Sequence, residues 1–143
     1  MKTALITGAS QGIGAAIADK LNDKKIKVIL VSRSKSKLKS FQKNLKFPKN
    51  SLIISKDLRS LSACNSIAKK IKKLDYLINV AGATKGGKFL NLNDNIWEDG
   101  FNLKFKAAVR LSRAFWSALK RCKGKVINIL SLIHISEPTR RLS

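Results

Sequence analysis

Thr3-Ala-Leu-Ile-Thr-Gly-Ala-Ser-Gln-Gly-Ile-Gly14 decides the reading of this chain. Ala4-Leu5-Ile6 is a continuous apolar run, the pattern of a parallel strand covered on both faces. Three glycines follow at once. Gly8 allows a sharp turn at the strand end, while Gly12 and Gly14 allow backbone to approach a ligand and a helix to pack close to the sheet. Ile13, Ala16, Ile17 and Leu21 then recur at helical spacing, so a helix starts where the glycines stop. Its first amide groups and its dipole would face an anion such as a phosphate. With Thr7 and Ser10 beside the glycines, the stretch predicts a site for the pyrophosphate of a dinucleotide, lined by Gly8, Ser10, Gln11, Gly12, Ile13 and Gly14.

Outward from this unit, strand and helix alternate. Ile26–Val31 reads as a second strand, followed by a helix with Leu38, Phe41 and Leu45 on one face. Leu52–Ile54 is a third strand, and Leu61, Cys64, Ile67, Ala68 and Ile71 mark the next helix. Tyr76–Val80 is a fourth strand, ended by Ala81-Gly82. One long helix is expected from about Ile96 to Leu119, with Phe101, Phe105, Ala108, Val109, Phe115 and Trp116 as its apolar positions. Lys125–Ile129 is the fifth strand. Five strands separated by helices predict an α/β fold with a doubly wound parallel sheet of the Rossmann type. No linker or internal repeat divides it.

Charge is the unusual feature of the composition. Thirty Lys and Arg against eight Asp and Glu give +22 over 143 residues. A nucleic acid or an anionic membrane could answer such a charge. However, Lys20, Lys24, Lys35, Lys39, Lys43, Lys69 and Lys72 are scattered over helix faces, and no arginine-rich arm or aromatic-interleaved strand pair accompanies them. No nucleic-acid partner is therefore expected. Cys64 and Cys122 do not form a disulfide framework or a zinc pattern, and His134 has no companions at metal spacing. No metal site is expected. No apolar run approaches the roughly 20 residues of a membrane span, so the expected location is cytoplasmic, with no membrane partner.

The motifs, taken together, resemble those of the short-chain dehydrogenase/reductase family over residues 1 to about 129. Thr7-Gly-Ala-Ser-Gln-Gly-Ile-Gly14 is similar to the family's cofactor-binding Thr-Gly-x3-Gly-x-Gly. Asp57-Leu58 sits where the family places a carboxylate and backbone beside the adenine ring; a helix cap is the alternative role for Asp57. Asn79-Val-Ala-Gly82 resembles Asn-Asn-Ala-Gly, with Val80 replacing the second Asn. The resemblance implies that Asn79 steadies the sheet while Ala81 and Gly82 pass close to the cofactor. Asn102 matches the Asn of the long helix that supports a water-mediated proton relay, and that helix resembles the family's oligomerisation helix. The parent protein is accordingly expected to be a homo-oligomer.

Cofactor choice follows from the end of the second strand. An acidic residue there would bind the ribose hydroxyls of NAD, whereas a guanidinium would pair with the extra phosphate of NADP. This chain has Ser32-Arg33 and no acid, with Lys35 and Lys37 nearby. NADP is the expected cofactor and NAD the less suited one.

The resemblance implies hydride transfer between the nicotinamide and a small carbonyl or alcohol substrate, with a Tyr-x3-Lys pair and a serine completing the chemistry. Tyr76, the one tyrosine, lies in a strand and is followed four residues later by Val80. By the family's spacing the pair would begin just past the last residue, Ser143. Ser131 stands at the place of the catalytic serine, but Leu130-Ser-Leu-Ile-His-Ile-Ser-Glu-Pro-Thr-Arg140 resembles the translation of a transposon-type sequencing adapter. On this reading residues 1–129 are an incomplete cofactor-binding domain, residues 130–143 are a non-native tail, and Ser131 matches by accident. The fragment is then expected to bind cofactor weakly, without turnover. It is also expected to leave Val126, Ile127 and Ile129 poorly covered and to be poorly soluble. A non-catalytic nucleotide-binding protein on the same fold is the alternative.

Overall fold

The computed structural model describes residues 1–82 and 87–129, together with the backbone of Ile135–Ser136. Its sheet is built from β1 (Thr3–Thr7), β2 (Lys27–Ser32), β3 (Ser51–Ser55), β4 (Tyr76–Asn79) and β6 (Lys125–Asn128). These run parallel in the spatial order β3-β2-β1-β4-β6. The expected doubly wound Rossmann sheet is thus the observed one. A separate pair, β5 (Gly87–Lys88) with β7 (Ile135–Ser136), joins two residues from each segment.

The alternation of side chains along the central strands divides the core between the two faces. Ala4, Ile6, Val28, Leu30 and Ile78 point to one side, where they meet Ala18 of α1 (Gly12–Asp23) and Leu38 of α2 (Lys35–Lys43). Leu5, Ile29, Val31 and Leu77 point to the other. There they meet Cys64 and Ile67 of α3 (Leu61–Lys70), and Leu111 of α5 (Ala107–Ala114). Leu119 of α6 (Trp116–Arg121) belongs to the same cluster. Because strands β1 and β2 are buried on both faces, they need apolar residues at successive positions rather than alternate ones. Ser34 caps α2 by accepting from the Lys37 amide, and Ser60 caps α3 by accepting from the Ala63 amide.

The single long helix expected between positions 96 and 119 is corrected by the structure. α4 (Asp94–Phe101) passes into a π-helical turn, Asn102–Lys106, then into α5, and the axis breaks again at Phe115 before α6. The segment carries two apolar stripes. Ala107, Leu111, Phe115, Ala118 and Leu119 face the core, whereas Phe101, Phe105, Val109 and Trp116 stay exposed. Of the apolar positions read from sequence, Phe115 alone is in the buried core. The π turn accommodates one extra residue and rotates the following helix, so a uniform 3.6-residue period cannot identify the inward stripe.

At the sheet edge Val126 and Ile129 are half-buried and pack on the two cores, while Ile127 is 44% exposed. All seven lysines read as solvated helix-face residues are exposed. Among the described residues, no helix is long and apolar enough to cross a membrane, and no three metal-ligating side chains cluster.

Candidate functional site

The strand order reverses between β1 and β4: β2 and β3 lie on one side of β1, and β4 and β6 on the other. A crevice forms at the carboxyl ends of the strands at such a switch point. Here it is a cleft of about 390 Å³. Gly8, Ser10, Gln11, Gly12, Ile13, Gly14, Arg33, Leu58, Ala81 and Gly82 all line it. The sequence-derived residues are therefore brought together from four separate loops.

Local chemistry fixes those loops. Gly8 and Gly12 adopt positive φ, +63° and +59°, where a side chain would be strained. Gly14 lies so close to the strand end that an added Cβ would fall 2.2 Å from the Gly8 carbonyl oxygen. The Thr7 hydroxyl oxygen accepts the Val80 and Ala81 amides, each at 2.9 Å, and locks the end of β1 to the end of β4. Ser32 Oγ donates to Ser10 Oγ at 3.1 Å, joining the glycine turn to β2. Asn79 Nδ2 donates to Asn128 Oδ1 at 2.9 Å, a bridge from β4 to β6 that fits a role in steadying the sheet. Asn79 is buried below the cleft and is not among its lining residues.

Electrostatics divide the cleft into two ends. At the ends of β2 and β3, Arg33, Lys37 and Lys56 line the rim. Lys56 was not singled out in the sequence. The parallel register that pairs Ser32 with Ser55 brings the residues after both strands side by side, and the Lys56 amide donates to the Ser32 carbonyl. At the other end, the Lys104 stem lies against Gly82, and burial pushes its ammonium below the ordinary lysine value. Leu103 of the π turn contributes to the wall, while Asn102 is half-buried at the start of that turn and does not line the cleft. Ser131 lies outside the described residues.

Asp57 is also outside the lining set, and Leu58 takes the wall position beside it. Nor does Asp57 cap α3, a role taken by Ser60. Its carboxylate receives the Arg59 guanidinium at 2.7 Å. Hydrogen bonding from that guanidinium holds the Asp57 carboxyl below its usual range, against partial burial that pushes the other way. The Cys64 thiol, buried under the Leu58 carbonyl, is pushed up by desolvation.

Chemically, the cleft joins a glycine turn and a helix start to a rim of three cations. The Gln11 side chain makes no capping bond to α1, and no acidic residue occupies the helix's first turn. This donor set fits a phosphorylated dinucleotide, whose pyrophosphate would face the helix amides.

Comparison with known proteins identifies the class. A family model described as short chain dehydrogenase matches residues 2–139, and the chain belongs to that family. The 3-oxoacyl-acyl-carrier-protein reductase FabG of Rickettsia typhi is 35% identical over 136 residues, covering 94% of this chain and 56% of the relative. The chain thus spans a little over half the length of such curated relatives. Among solved structures, a metagenomic short-chain oxidoreductase in complex with NADP has a TM-score of 0.83 and 33% identity, covering 92% of this chain and 62% of that one. An actinorhodin polyketide ketoreductase solved with NADPH also has a TM-score of 0.83, with 28% identity, covering 91% of this chain and 53% of that one.

Proposed function

We propose that this chain is the cofactor-binding half of an NADP-dependent oxidoreductase acting between a carbonyl and an alcohol. The observation that carries the cofactor assignment is the convergence of Arg33, Lys37 and Lys56 on the cleft rim, with Ser32 rather than an acid at the end of β2. A ribose phosphate would meet a guanidinium fork and two ammonium groups there, whereas a free ribose would find no carboxylate to accept its hydroxyls. Gly8, Ser10, Gln11, Gly12, Ile13 and Gly14 would hold the pyrophosphate. Leu58, with the backbone of Asp57, would flank the adenine, and Ala81 and Gly82 would pass beside the rest of the cofactor. When bound, the nicotinamide supplies or accepts the hydride.

The chain by itself is proposed to be inactive. Tyr76 begins β4 at the amino end of the sheet, opposite the cleft, where its hydroxyl accepts from Lys2 Nζ at 3.3 Å. It cannot deliver a proton to a substrate at the carboxyl ends of the strands. Asn102 would serve a proton relay only in company with the missing Tyr-x3-Lys pair, and residues 130–143 are proposed to be a non-native tail. The exposed stripe of Phe101, Phe105, Val109 and Trp116 supports a homo-oligomeric parent.

Fluorescence titration of the full chain with NADPH and NADH tests the assignment. NADPH is expected to bind more tightly, and Arg33→Ala to weaken it by about tenfold or more, the loss of one charge-assisted hydrogen bond of about 1.5–3 kcal/mol. Equal or tighter binding of NADH would overturn the cofactor choice, and NADPH oxidation by a ketone would overturn the inactivity.

A further inference from the structure

We infer that Arg59 is a positioning residue for the cofactor cleft, and that it couples occupancy of the cleft to helix α4. The inference rests on the cofactor reading above. Leu58, 3% exposed, is the wall residue between two partners of an ion pair. Arg59 Nη2 reaches Asp57 Oδ2 at 2.7 Å, and Nε donates to both carboxylate oxygens at 3.1 and 3.2 Å. Asp57 Oδ1 also accepts the Arg59 backbone amide at 3.0 Å. The remaining guanidinium nitrogen, Nη1, donates to Asp99 Oδ2 of α4 at 2.8 Å. From α5, Arg110 Nη1 donates to the Arg59 carbonyl at 3.2 Å, and from α3 the Cys64 thiol faces the Leu58 carbonyl.

The loop that walls the cleft is therefore fastened to α3, α4 and α5 at once. The geometry requires arginine: its planar fork spans one carboxylate with two nitrogens and still presents a third to Asp99, which an ammonium cannot do. A ligand pressing on Leu58 favours the clamped loop and hence the contact to Asp99. By linkage, loss of that contact must weaken the ligand by the same factor. The carboxylates are partly exposed, at 41% and 61%, so the coupling belongs at the low end of the usual range, about fivefold.

The full chain, with 2′,5′-ADP as the probe, tests this by calorimetry and by hydrogen exchange at the amides of residues 94–101. Wild type is expected to bind and to gain protection in α4 on binding. Asp99→Asn leaves the Asp57–Arg59 pair intact, yet is expected to bind about fivefold more weakly and to lose the ligand-dependent part of that protection. Arg59→Lys and Arg59→Met should weaken binding at least as much. A purely structural contact would change exchange in α4 equally with and without the probe. Should Arg59→Met fail to fold, Asp99→Asn decides. Wild-type binding without α4 protection, or an Asp99→Asn variant matching wild type in both readouts, overturns the coupling alone. Folded wild type that does not bind 2′,5′-ADP overturns the cofactor reading and the coupling together.

Discussion

Replacing each of the three loop glycines by alanine should separate folding from binding. At Gly12 an added Cβ has nothing within 4 Å, so the methyl is sterically free and the cost is the backbone's positive φ of +59°. That strain is about 1–2 kcal/mol for an L-residue. At Gly14 the φ is ordinary, but the Cβ would sit 2.2 Å from the Gly8 carbonyl oxygen and 2.8 Å from its carbon. Restoring ordinary contact requires α1 to retreat from the end of β1 by about 1 Å. Ala18 and the glycine turn move with it, and overpacking of this kind costs about 1–3 kcal/mol or more. Gly8 combines both effects, φ +63° and contacts of 3.1 Å with the Ala81 backbone. The stability order should therefore be wild type above Gly12→Ala, with Gly14→Ala and Gly8→Ala lowest. Affinity should follow a different order: the Gly12 methyl enters the open cleft and obstructs a phosphate, so the most stable variant still loses NADPH binding. Urea denaturation and NADPH titration read the two quantities. A Gly14→Ala variant as stable as Gly12→Ala, or a Gly12→Ala variant with wild-type affinity, would refute the reasoning.

The Asp57–Arg59 pair should give the chain an acid-sensitive increment. Because the folded carboxyl is held below the ordinary carboxylate value, this stabilisation is complete above the unfolded value and disappears as pH falls through the folded one. Denaturation midpoints measured between pH 5 and 2.5 should fall less steeply in Asp57→Asn; parallel curves would exclude the pair as a source. The exposed apolar stripe and sheet edge should drive self-association, since Trp116 is 64% exposed, Phe105 63% and Ile127 44%. Sedimentation velocity should show Trp116→Glu and Ile127→Lys shifting material from assemblies to monomer, whereas an unchanged distribution would place the contact elsewhere.

The sheet was legible in the sequence because parallel strands covered on both faces need consecutive apolar residues. Ala4–Ile6, Val28–Val31 and Leu77–Ile78 supply them, and the strands differ from the sequence reading only at their ends. The helical region between β4 and β6 was less legible for a physical reason. Two apolar stripes compete there, and only packing on α3 and the sheet selects Ala107, Leu111 and Phe115 over Phe105, Val109 and Trp116. The one-residue excess of the π turn is a tertiary accommodation with no local signature in Asn102–Lys106.

The candidate site shows the same division between local and non-local information. Glycines carry their requirements with them, because a positive φ and a close backbone approach each leave one residue type standing. Charges do so less: Arg33 and Lys37 were legible from their place after the second strand, but Lys56 cannot be distinguished by composition from Lys39, Lys43 or Lys72 in a chain this basic. What distinguishes it is strand register, which pairs Ser32 with Ser55 and so places Lys56 at the cleft rim beside Arg33. Arg59 is less visible still, since its meaning depends on Asp99, 40 residues away on a separate helix, α4. A high net charge therefore says little about this protein's ligand; on the proposed reading the ligand is specified by the few cations gathered at the cleft rim, where the helix amides of α1 already favour an anion.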